Sequence, residues 1–243
     1  MGYTMPLGEF SMISKILALC AFSLLFSIVS PAQTANDKEI KEVAKTAQKA
    51  TKALDEIMAI AEWSIPGDLL KKAKAVGVFP NVVKGAFIVG GQGGKGLITE
   101  KVGGEWGPPV VFKVGGASVG LQIGGSSTDV VMLFMTEDSL KNLLEDRFEI
   151  GGEAAAAAGP VGRTAKAATD AQLTAQILSY SRSKGLFAGI SLSGVVISPD
   201  NDANNALYSF PAKDILTGKP ITPPIGIPPA TKPFQEAVIR YSK

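Results

Sequence analysis

The spacing of apolar residues predicts a long helix from Asp37 to Glu62. Wound at about 100° per residue, the apolar positions fall on one face and lysines line the opposite face. The apolar face carries Ile40, Val43, Ala44, Ala47, Ala50, Leu54, Ile57, Met58 and Ala61, and the lysines are Lys38, Lys41, Lys45, Lys49 and Lys52. Residues 36–64 are therefore interpreted as an amphipathic helix that leads into a folded domain. The pattern suits a core-packed helix with solvated lysines, and membrane contact is the alternative.

A second, shorter helix is predicted from Pro66 to about Ala75. Proline suits the first helical position, and an acidic residue in the first turn, here Asp68, favours the helix dipole. The apolar side carries Leu69, Leu70, Ala73 and Val76, and the other side carries Lys71, Lys72 and Lys74. These three lysines form the densest basic cluster in the chain.

Short β-branched runs separated by glycines follow, at the spacing of a meander. More than half of the 27 glycines lie between Gly77 and Gly125. Because glycine tolerates positive φ and close backbone approach, these clusters predict hairpins and bulges of an antiparallel sheet. The predicted strands are Gly77–Phe79, Ala86–Gly90, Leu97–Val102, Val110–Val114, Ser118–Ile123 and Asp129–Met135.

The second half of the chain adds one helix and two strands. Thr136 is suited to cap a helix over Glu137–Ile150, and Gly151 is suited to end it. The strands are predicted at Leu173–Tyr180 and Leu186–Ile197. The predicted fold class is therefore α+β: a single domain with a twisted, mostly antiparallel sheet, open or barrel-like, covered by helices.

Proline becomes frequent after Asn205, at Pro211, Pro220, Pro223, Pro224, Pro228, Pro229 and Pro233. Proline-rich segments favour extended structure without a packed core. We interpret residues 211–243 as a proline-rich surface arm that ends in a short helix, Phe234–Tyr241.

The first 35 residues have the pattern of a signal peptide. Lys15 precedes the apolar run Ile16–Val29, which is too short for a membrane span. Small residues such as Ala32 offer a cleavage site, and Met12 is a candidate for the true start. Export to the periplasm or cell surface is predicted, and a buried amino-terminal helix is the alternative.

Composition restricts the chemistry of the exported chain. There is no histidine, and the one cysteine is Cys20 inside the apolar run; Leu19 before it is too large for a lipid-anchor signal. Without these residues, disulfides, common zinc sites and histidine acid–base catalysis are excluded. A formal net charge of +2 gives no field that would attract nucleic acid. We predict a non-catalytic protein with no metal or cofactor.

Three motif matches do not overturn this prediction. Gly91-x-Gly93-x-x-Gly96 fits a dinucleotide fingerprint, but a strand-like run follows it where a helix is required. Gly116-Ala-Ser118-Val-Gly120 fits a hydrolase elbow without a histidine to activate the serine. Ser181-x-x-Lys184 lacks the companion elements of the penicillin-binding class.

Three separated motifs resemble the SYLF domain. The first is Ile65-Pro-x-x-Leu69 followed by Ala73-Lys74-Ala-Val-x-Val-Phe79-Pro80-x-Val-Val-Lys84-Gly-Ala-Phe. The other two are Gly159-Pro-x-Gly-Arg163 and Tyr180-Ser-Arg-Ser-Lys-Gly-Leu-Phe-Ala-Gly189. They occur in order and assign a SYLF-like domain to residues 65–210.

The resemblance implies a lipid-binding module. Eukaryotic members of this family recognise phosphoinositides through a basic amphipathic helix at the start of the domain, which aligns here with Ile65–Val76. The resemblance therefore assigns lipid binding to Lys71, Lys72 and Lys74. Three lysines alone bind weakly, so insertion of Leu69 and Leu70, avidity of an oligomer, or a pocket is expected to add the rest. The expected partner is an anionic phospholipid membrane.

Other partners are weighed against the membrane. Family members that bind actin carry a Src-homology-3 domain, and we do not expect actin binding from an exported chain. The alternative function is that of a structural or scaffolding protein of the envelope. Such a protein would bind a protein partner through the proline-rich arm.

Overall fold

The computed structural model describes residues 31–60, 64–86, 90–118, 124–151, 155–162, 175–183, 186–189, 192, 194–216 and 226–243. Residues 37–243 form one compact unit, and residues 1–36 form a separate one. The apolar run Ile16–Val29 lies outside the described residues. Within the described ranges, no helix has both the length and the apolar character needed to cross a membrane.

The described helices and strands occur in separate runs along the chain, as in an α+β fold. The helices are α1 (Pro31–Met58), α2 (Gly67–Lys72), α3 (Glu137–Leu143), α4 (Asn201–Tyr208), α5 (Ala212–Leu216) and α6 (Lys232–Tyr241). The strands are β1 (Ala75–Ala86), β2 (Gly90–Val102), β3 (Glu105–Trp106), β4 (Val110–Ser118), β5 (Gly124–Phe134), β6 (Phe148–Glu149), β7 (Ala156–Ala158), β8 (Ile177–Ser183), β9 (Leu186–Gly189) and β10 (Val196–Pro199).

These strands form one curled sheet in the order β6-β10-β4-β2-β1-β5-β8-β7, with β3 beside β2 and β9 beside β8. Neighbouring strands in the described part are antiparallel, apart from the parallel pair β7 and β8. The predicted α+β class with a mostly antiparallel sheet is confirmed.

Each face of the sheet buries an apolar layer. One layer joins the sheet to α1, α2 and α6, and includes Leu54, Leu70, Val78, Leu133 and Phe234. The other joins the opposite face to α3 and α5, and includes Phe79, Phe112, Phe134, Leu143 and Ile215. The alternation of apolar side chains along each strand feeds both layers, because successive side chains point to opposite faces.

β1 is longer than predicted, and it contains a β-bulge. The pairing of β1 with β5 shifts by one residue between Phe79 opposite Val130 and Val82 opposite Thr128. Asn81 adopts a left-handed φ of 52° in this bulge. The predicted strand Ala86–Gly90 was wrong as a separate element, because Ala86 ends β1 and Gly90 begins β2.

Gly96 lies against this bulge, and its position explains why the last glycine of the apparent dinucleotide motif is required. A Cβ on Gly96 would overlap the carbonyl oxygen of Val78 and lie 2.5 Å from Cδ1 of Phe79. The residue lies within β2, and the glycines of the apparent dinucleotide fingerprint are strand residues. The predicted strand Ser118–Ile123 falls largely on residues 119–123, which lie outside the described part of the chain.

The predicted helices are present with different ends: α1 and α6 begin earlier than predicted, whereas α2 and α3 are shorter. Thr136 caps α3 with a capping box, accepting from the amide of Ser139 at 3.2 Å. The predicted extension of α3 to Ile150 was wrong: α3 ends at Leu143, because Phe148 pairs with Ile197 in β10 and is buried. Tertiary pairing overrides the local helical pattern here.

Two more predicted strands differ from the observed ones: one is shifted along the chain and the other is divided into two. The run Leu173–Tyr180 appears as β8, Ile177–Ser183. The run Leu186–Ile197 becomes β9 and β10, with Gly194 at a φ of 79° between them.

The proline-rich segment leads into the core. Pro220, Pro223 and Pro224 lie outside the described residues, but α6 buries Phe234 and Val238 completely. The sequence predicted a surface arm with a terminal helix; the helix is present, and its apolar face packs with α1 and α2. Arg240 and Tyr241 also bond Asp55 of α1, at 2.6 and 2.9 Å.

Candidate functional site

Helix α2 presents lysines to solvent and leucines to the core. Pro66 precedes its first turn, and the two leucines are buried: Leu69 is 9% exposed and Leu70 is 0% exposed. The sequence assigned both leucines to lipid contact, yet their side chains pack in the layer between α1, α2 and the sheet. In this conformation they do not reach a membrane surface.

The three predicted lysines lie close together but differ in their contacts. Lys71 and Lys72 are exposed. Lys74 is half-buried and forms an ion pair with Glu137 of α3, with Nζ and Oε1 2.8 Å apart. Lys71 and Lys72 therefore carry most of the accessible positive charge of the cluster.

Lys101 of β2 joins this cluster, although it is distant in sequence. Its amide donates to the carbonyl oxygen of Lys74 at 2.7 Å, and its Nζ donates to the carbonyl oxygen of Lys71 at 2.6 Å. Burial lowers the pKa of the Lys101 ammonium, and the charges of Lys74 and Lys71 lower it further. We call Lys71, Lys72, Lys74 and Lys101 the basic surface.

A tight hairpin lies beside the basic surface. Gly103 and Gly104, at φ values of 60° and 93°, connect β2 to β3. This geometry requires glycine-like residues, because both central positions have positive φ. Val102 precedes the turn and is 46% exposed, one of the large apolar side chains in the described ranges that faces solvent.

A cleft of roughly 520 Å³ lies next to the basic surface. It is bounded by α2, the β2–β3 hairpin and α6. Its lining residues are Lys71, Lys101, Gly104, Glu105, Trp106, Gln235, Ile239, Ser242 and Lys243. The Nζ of Lys101 lies 4.6 Å from the centre of the Trp106 ring, a cation–π arrangement.

Sequence reasoning did not find Lys101, Val102 or Trp106. The two-glycine turn after Val102 is a hairpin signal that would have brought Lys101 opposite Trp106, as observed in the pairing of β2 with β3. The proximity of β2 to α2 has no local signal. It arises from the pairing of β1 with β2.

A second charged cluster lies around Arg182, in the third SYLF motif. Arg182 pairs with Asp129 at 2.7 Å and with Glu56 of α1. Asp129 also accepts from the amide of Asn81 in the β1 bulge at 2.9 Å. The two carboxylates fully compensate the guanidinium, so this cluster offers no free cation to an anionic ligand, and its ion pairs hold α1 and the bulge against β8.

The motifs considered for catalysis occupy strands. Ser118 ends β4 and Ser181 lies within β8, whereas Lys184 is outside the described residues. Across the described ranges, no group of three or more histidine, cysteine, aspartate or glutamate side chains is placed to hold a metal ion. The arrangement that remains is a cationic surface beside a cleft.

The fold is that of an α+β domain with lysines clustered on one part of its surface. Residues 115–241 match the Ysc84 family model, described as Las17-binding protein actin regulator. This match covers just over half of the chain, and the chain therefore belongs to the Ysc84 family, whose domain is the SYLF domain. The resemblance carried by the three motifs is confirmed.

Proteins of yeast and mammals are similar to this chain. LAS seventeen-binding protein 3 of Saccharomyces cerevisiae is 35% identical over 187 residues, which is 74% of this chain and 40% of that protein. SH3 domain-containing YSC84-like protein 1 of Rattus norvegicus is 30% identical over 181 residues, 71% of this chain and 53% of that protein. The chain thus matches about half or less of each relative's length, and these relatives are named as binding or domain-containing proteins, not as enzymes.

Proposed function

We propose that this chain is an exported, non-catalytic SYLF domain that binds the surface of an acidic phospholipid membrane through its basic surface. The observation that carries the proposal is the attachment of Lys101 to α2. Hydrogen bonds to the carbonyl oxygens of Lys71 and Lys74 bring cations from two distant segments to one place. Like charges repel, so their convergence favours an anionic ligand.

The magnitude of this attraction predicts weak binding. Each lysine near an anionic membrane contributes about 1 kcal/mol, so four supply about 4 kcal/mol, which corresponds to a Kd near 1 mM. Lys74 contributes less than the others because Glu137 already neutralises part of its charge. An apolar contact is needed to strengthen the attachment.

Val102 supplies that apolar contact in place of Leu69 and Leu70. It stands beside Lys101 at the turn of the β2–β3 hairpin, and 46% of its surface faces solvent. Complete burial of a valine side chain stabilises by at least about 1.5 kcal/mol, and a part of this is gained on insertion. Insertion of the hairpin tip that carries Val102 would add this apolar contact to the attraction between the lysines and the phosphates.

Vesicle flotation tests the proposal. The chain without residues 1–35 should float with vesicles that contain phosphatidylglycerol and not with phosphatidylcholine alone. The double variant Lys71→Glu and Lys72→Glu should lose this binding, because two attractions become two repulsions. The matched control is Lys213→Glu with Lys232→Glu, which makes the same change in net charge at exposed positions of α5 and α6. Equal binding by the folded variant and the control would reject the basic surface as the membrane contact, and failure of the parent chain to float with acidic vesicles would reject the membrane function.

A protein partner is the alternative function. The yeast relative is named for binding LAS seventeen, and the family description names an actin regulator. A protein partner captured through the proline-rich arm, residues 211–243, would support an envelope scaffold. Should the basic surface prove dispensable for vesicle binding, this alternative takes its place.

A further inference from the structure

The cleft beside the basic surface has the size of a small-ligand site. Its volume of roughly 520 Å³ falls within the range of about 300–1,000 Å³ that such sites occupy. Lys71 and Lys101 belong to both the cleft and the basic surface. A group that enters the cleft therefore meets the ammonium groups of Lys71 and Lys101, and Lys243 also lines the cleft.

The floor of the cleft is held by hydrogen bonds within the protein. The indole N–H of Trp106 donates to Oγ of Ser242 at 2.7 Å. The amide of Gln235 donates to the carbonyl oxygens of Trp106 and Gly107, at 2.6 and 3.1 Å. Trp106 and Gln235 are each 9% exposed. Because these donors are already used, the floor is preformed and the lysines supply the donors for a ligand.

The two lysines keep donors for an anion. A lysine ammonium has three N–H groups, and Lys101 gives one to the carbonyl oxygen of Lys71. Within the described residues, no carboxylate forms an ion pair with Lys71 or Lys101. Glu105 is the one carboxylate side chain among the lining residues, and it is exposed.

We propose that this cleft is a phosphate site, in which Lys71 and Lys101 hold a phosphoryl group above the Trp106 floor. Two adjacent point charges match a compact group that carries up to two negative charges better than a single carboxylate. The inference rests on the proposed function, since it names the part of the lipid that this surface receives. A phosphorylated compound free in solution offers the same chemistry.

Fluorescence of Trp106 tests the site directly. The chain has two tryptophans, so Trp63→Phe leaves Trp106 as the reporter. Inorganic phosphate, titrated at constant ionic strength against sodium chloride, should change the emission of Trp106 to a saturating value. Chloride alone should not.

Three variants and one control in this background test the assignment. Lys101→Gln and Lys71→Gln should each raise the Kd for phosphate about tenfold or more, the effect of losing one charge-assisted hydrogen bond. Glu105→Gln should lower the Kd, because it removes a repulsive charge from the cleft. Lys213→Gln is the control: it is exposed on α5, outside the cleft, and should leave the Kd within about twofold. Thermal unfolding of each variant verifies that the fold is retained.

The same titration can overturn the site. The proposal is rejected if phosphate and chloride act alike, if Lys101→Gln retains the parent affinity, or if Glu105→Gln fails to tighten binding. Because Glu105→Gln leaves both lysines in place, it keeps the test decisive even if a lysine substitution unfolds the chain.

Vesicles that contain phosphatidic acid identify the source of the phosphate. Displacement of vesicles by saturating phosphate at fixed ionic strength assigns the cleft to a lipid headgroup. Phosphate binding without displacement assigns it to a soluble phosphorylated compound. If the chain binds phosphate but no acidic vesicle, the membrane function is rejected and the phosphate site stands. If it binds vesicles but not phosphate, the phosphate site alone is rejected.

Discussion

Gly159 lies directly against the ring of Tyr180. A Cβ on Gly159 would overlap Cζ of Tyr180 and lie 2.5 Å from its Cε1. The amide of Gly159 donates to the carbonyl oxygen of Ser179 at 3.0 Å. Two of the three SYLF motifs therefore form one packing unit, and Tyr180 is fully buried within it.

We expect Gly159→Ala to destabilise the fold by about 3 kcal/mol, the upper end of the usual cost of overpacking, because a buried ring has no room to move. Urea unfolding measures the change. Gly226→Ala is the control, since a Cβ there meets nothing within 4 Å. In a Tyr180→Val background the effect of Gly159→Ala should shrink, because the smaller side chain leaves space. An unchanged cost in that background would contradict the direct contact.

The second prediction concerns the tip of the hairpin. Val102→Asp should weaken vesicle binding, and Val102→Phe should strengthen it, without loss of stability, because Val102 is largely exposed. Val83→Asp is the matched control at another exposed valine, which is 54% exposed. Flotation at rising salt should also release the parent chain, since exposed charges are screened within about 10 Å at 0.1 M. Equal loss from both aspartate variants would remove the hairpin from the membrane contact.

The third prediction concerns Asp200, which is 1% exposed and binds Lys95 and Lys113 at 2.8 Å each. Burial alone would raise its pKa, but the two lysines together hold the pKa of Asp200 below 3.8. Asp200→Asn should cost about 2–4 kcal/mol at neutral pH, between the values for exposed and buried pairs.

The effect of Asp200→Asn should depend on pH in one direction. An acidic group whose pKa is lower in the folded chain than in the unfolded chain stabilises the fold at pH values above its unfolded pKa. This stabilisation is lost as the pH falls through the pKa of the folded chain. The gap between parent and variant should therefore narrow below about pH 4. Asp202→Asn, exposed on the same helix, should cost less than about 1 kcal/mol. A gap that widens in acid would contradict the ion pairs.

The fourth prediction concerns Glu100, which is partly buried. Burial, and to a smaller extent the charge of Glu137, raise the pKa of Glu100 from 4.5 to about 7. Between these two values the folded chain binds more protons than the unfolded chain, so this group lowers stability as pH rises through that window. Glu100→Gln should raise the melting temperature at about pH 8 and change it little near pH 4.5.

Glu105→Gln provides the comparison for Glu100, because its side chain is exposed and removal of one charge there should change stability by less than about 0.5 kcal/mol. Calorimetry of both variants at the two pH values makes the measurement. A gain in melting temperature that is equal at both pH values would show that Glu100 does not titrate in this window.

The fifth prediction concerns export. Cleavage between Ala32 and Asp37 should produce the mature chain, because a basic start, an apolar run and small residues precede the polar part of α1. Intact mass of the protein recovered from the envelope fraction measures the cleavage position. A recovered chain that still contains Ile16–Val29 would contradict processing.

The elements with strong local patterns could be predicted from the sequence. The apolar stripe of α1 is buried at Val43, Ala47, Ala50, Leu54 and Ile57, as its period required. Thr136 caps α3 as expected, because capping depends on neighbouring residues only. The end of α3 could not be predicted, since it depends on the pairing of Phe148 with Ile197, which are far apart in sequence.

The candidate site also contains some residues that could be predicted from the sequence and others that could not. Lys71 and Lys72 could be found from their spacing on one short helix. Lys101 could not, because its position beside Lys71 depends on strand pairing between β1 and β2. The burial of Leu69 and Leu70 was missed for a related reason: a six-residue helix has an apolar side whether it faces a core or a membrane.

The burial of α6 has a consequence for how the chain folds. Phe234 and Val238 complete the apolar layer that also covers Ile57 and Leu70. Because α6 is far in sequence from α1 and α2, this layer forms only through contacts between distant segments. Such long-range contacts are slow to form, so the apolar faces of α1 and α2 stay open to water until α6 has docked.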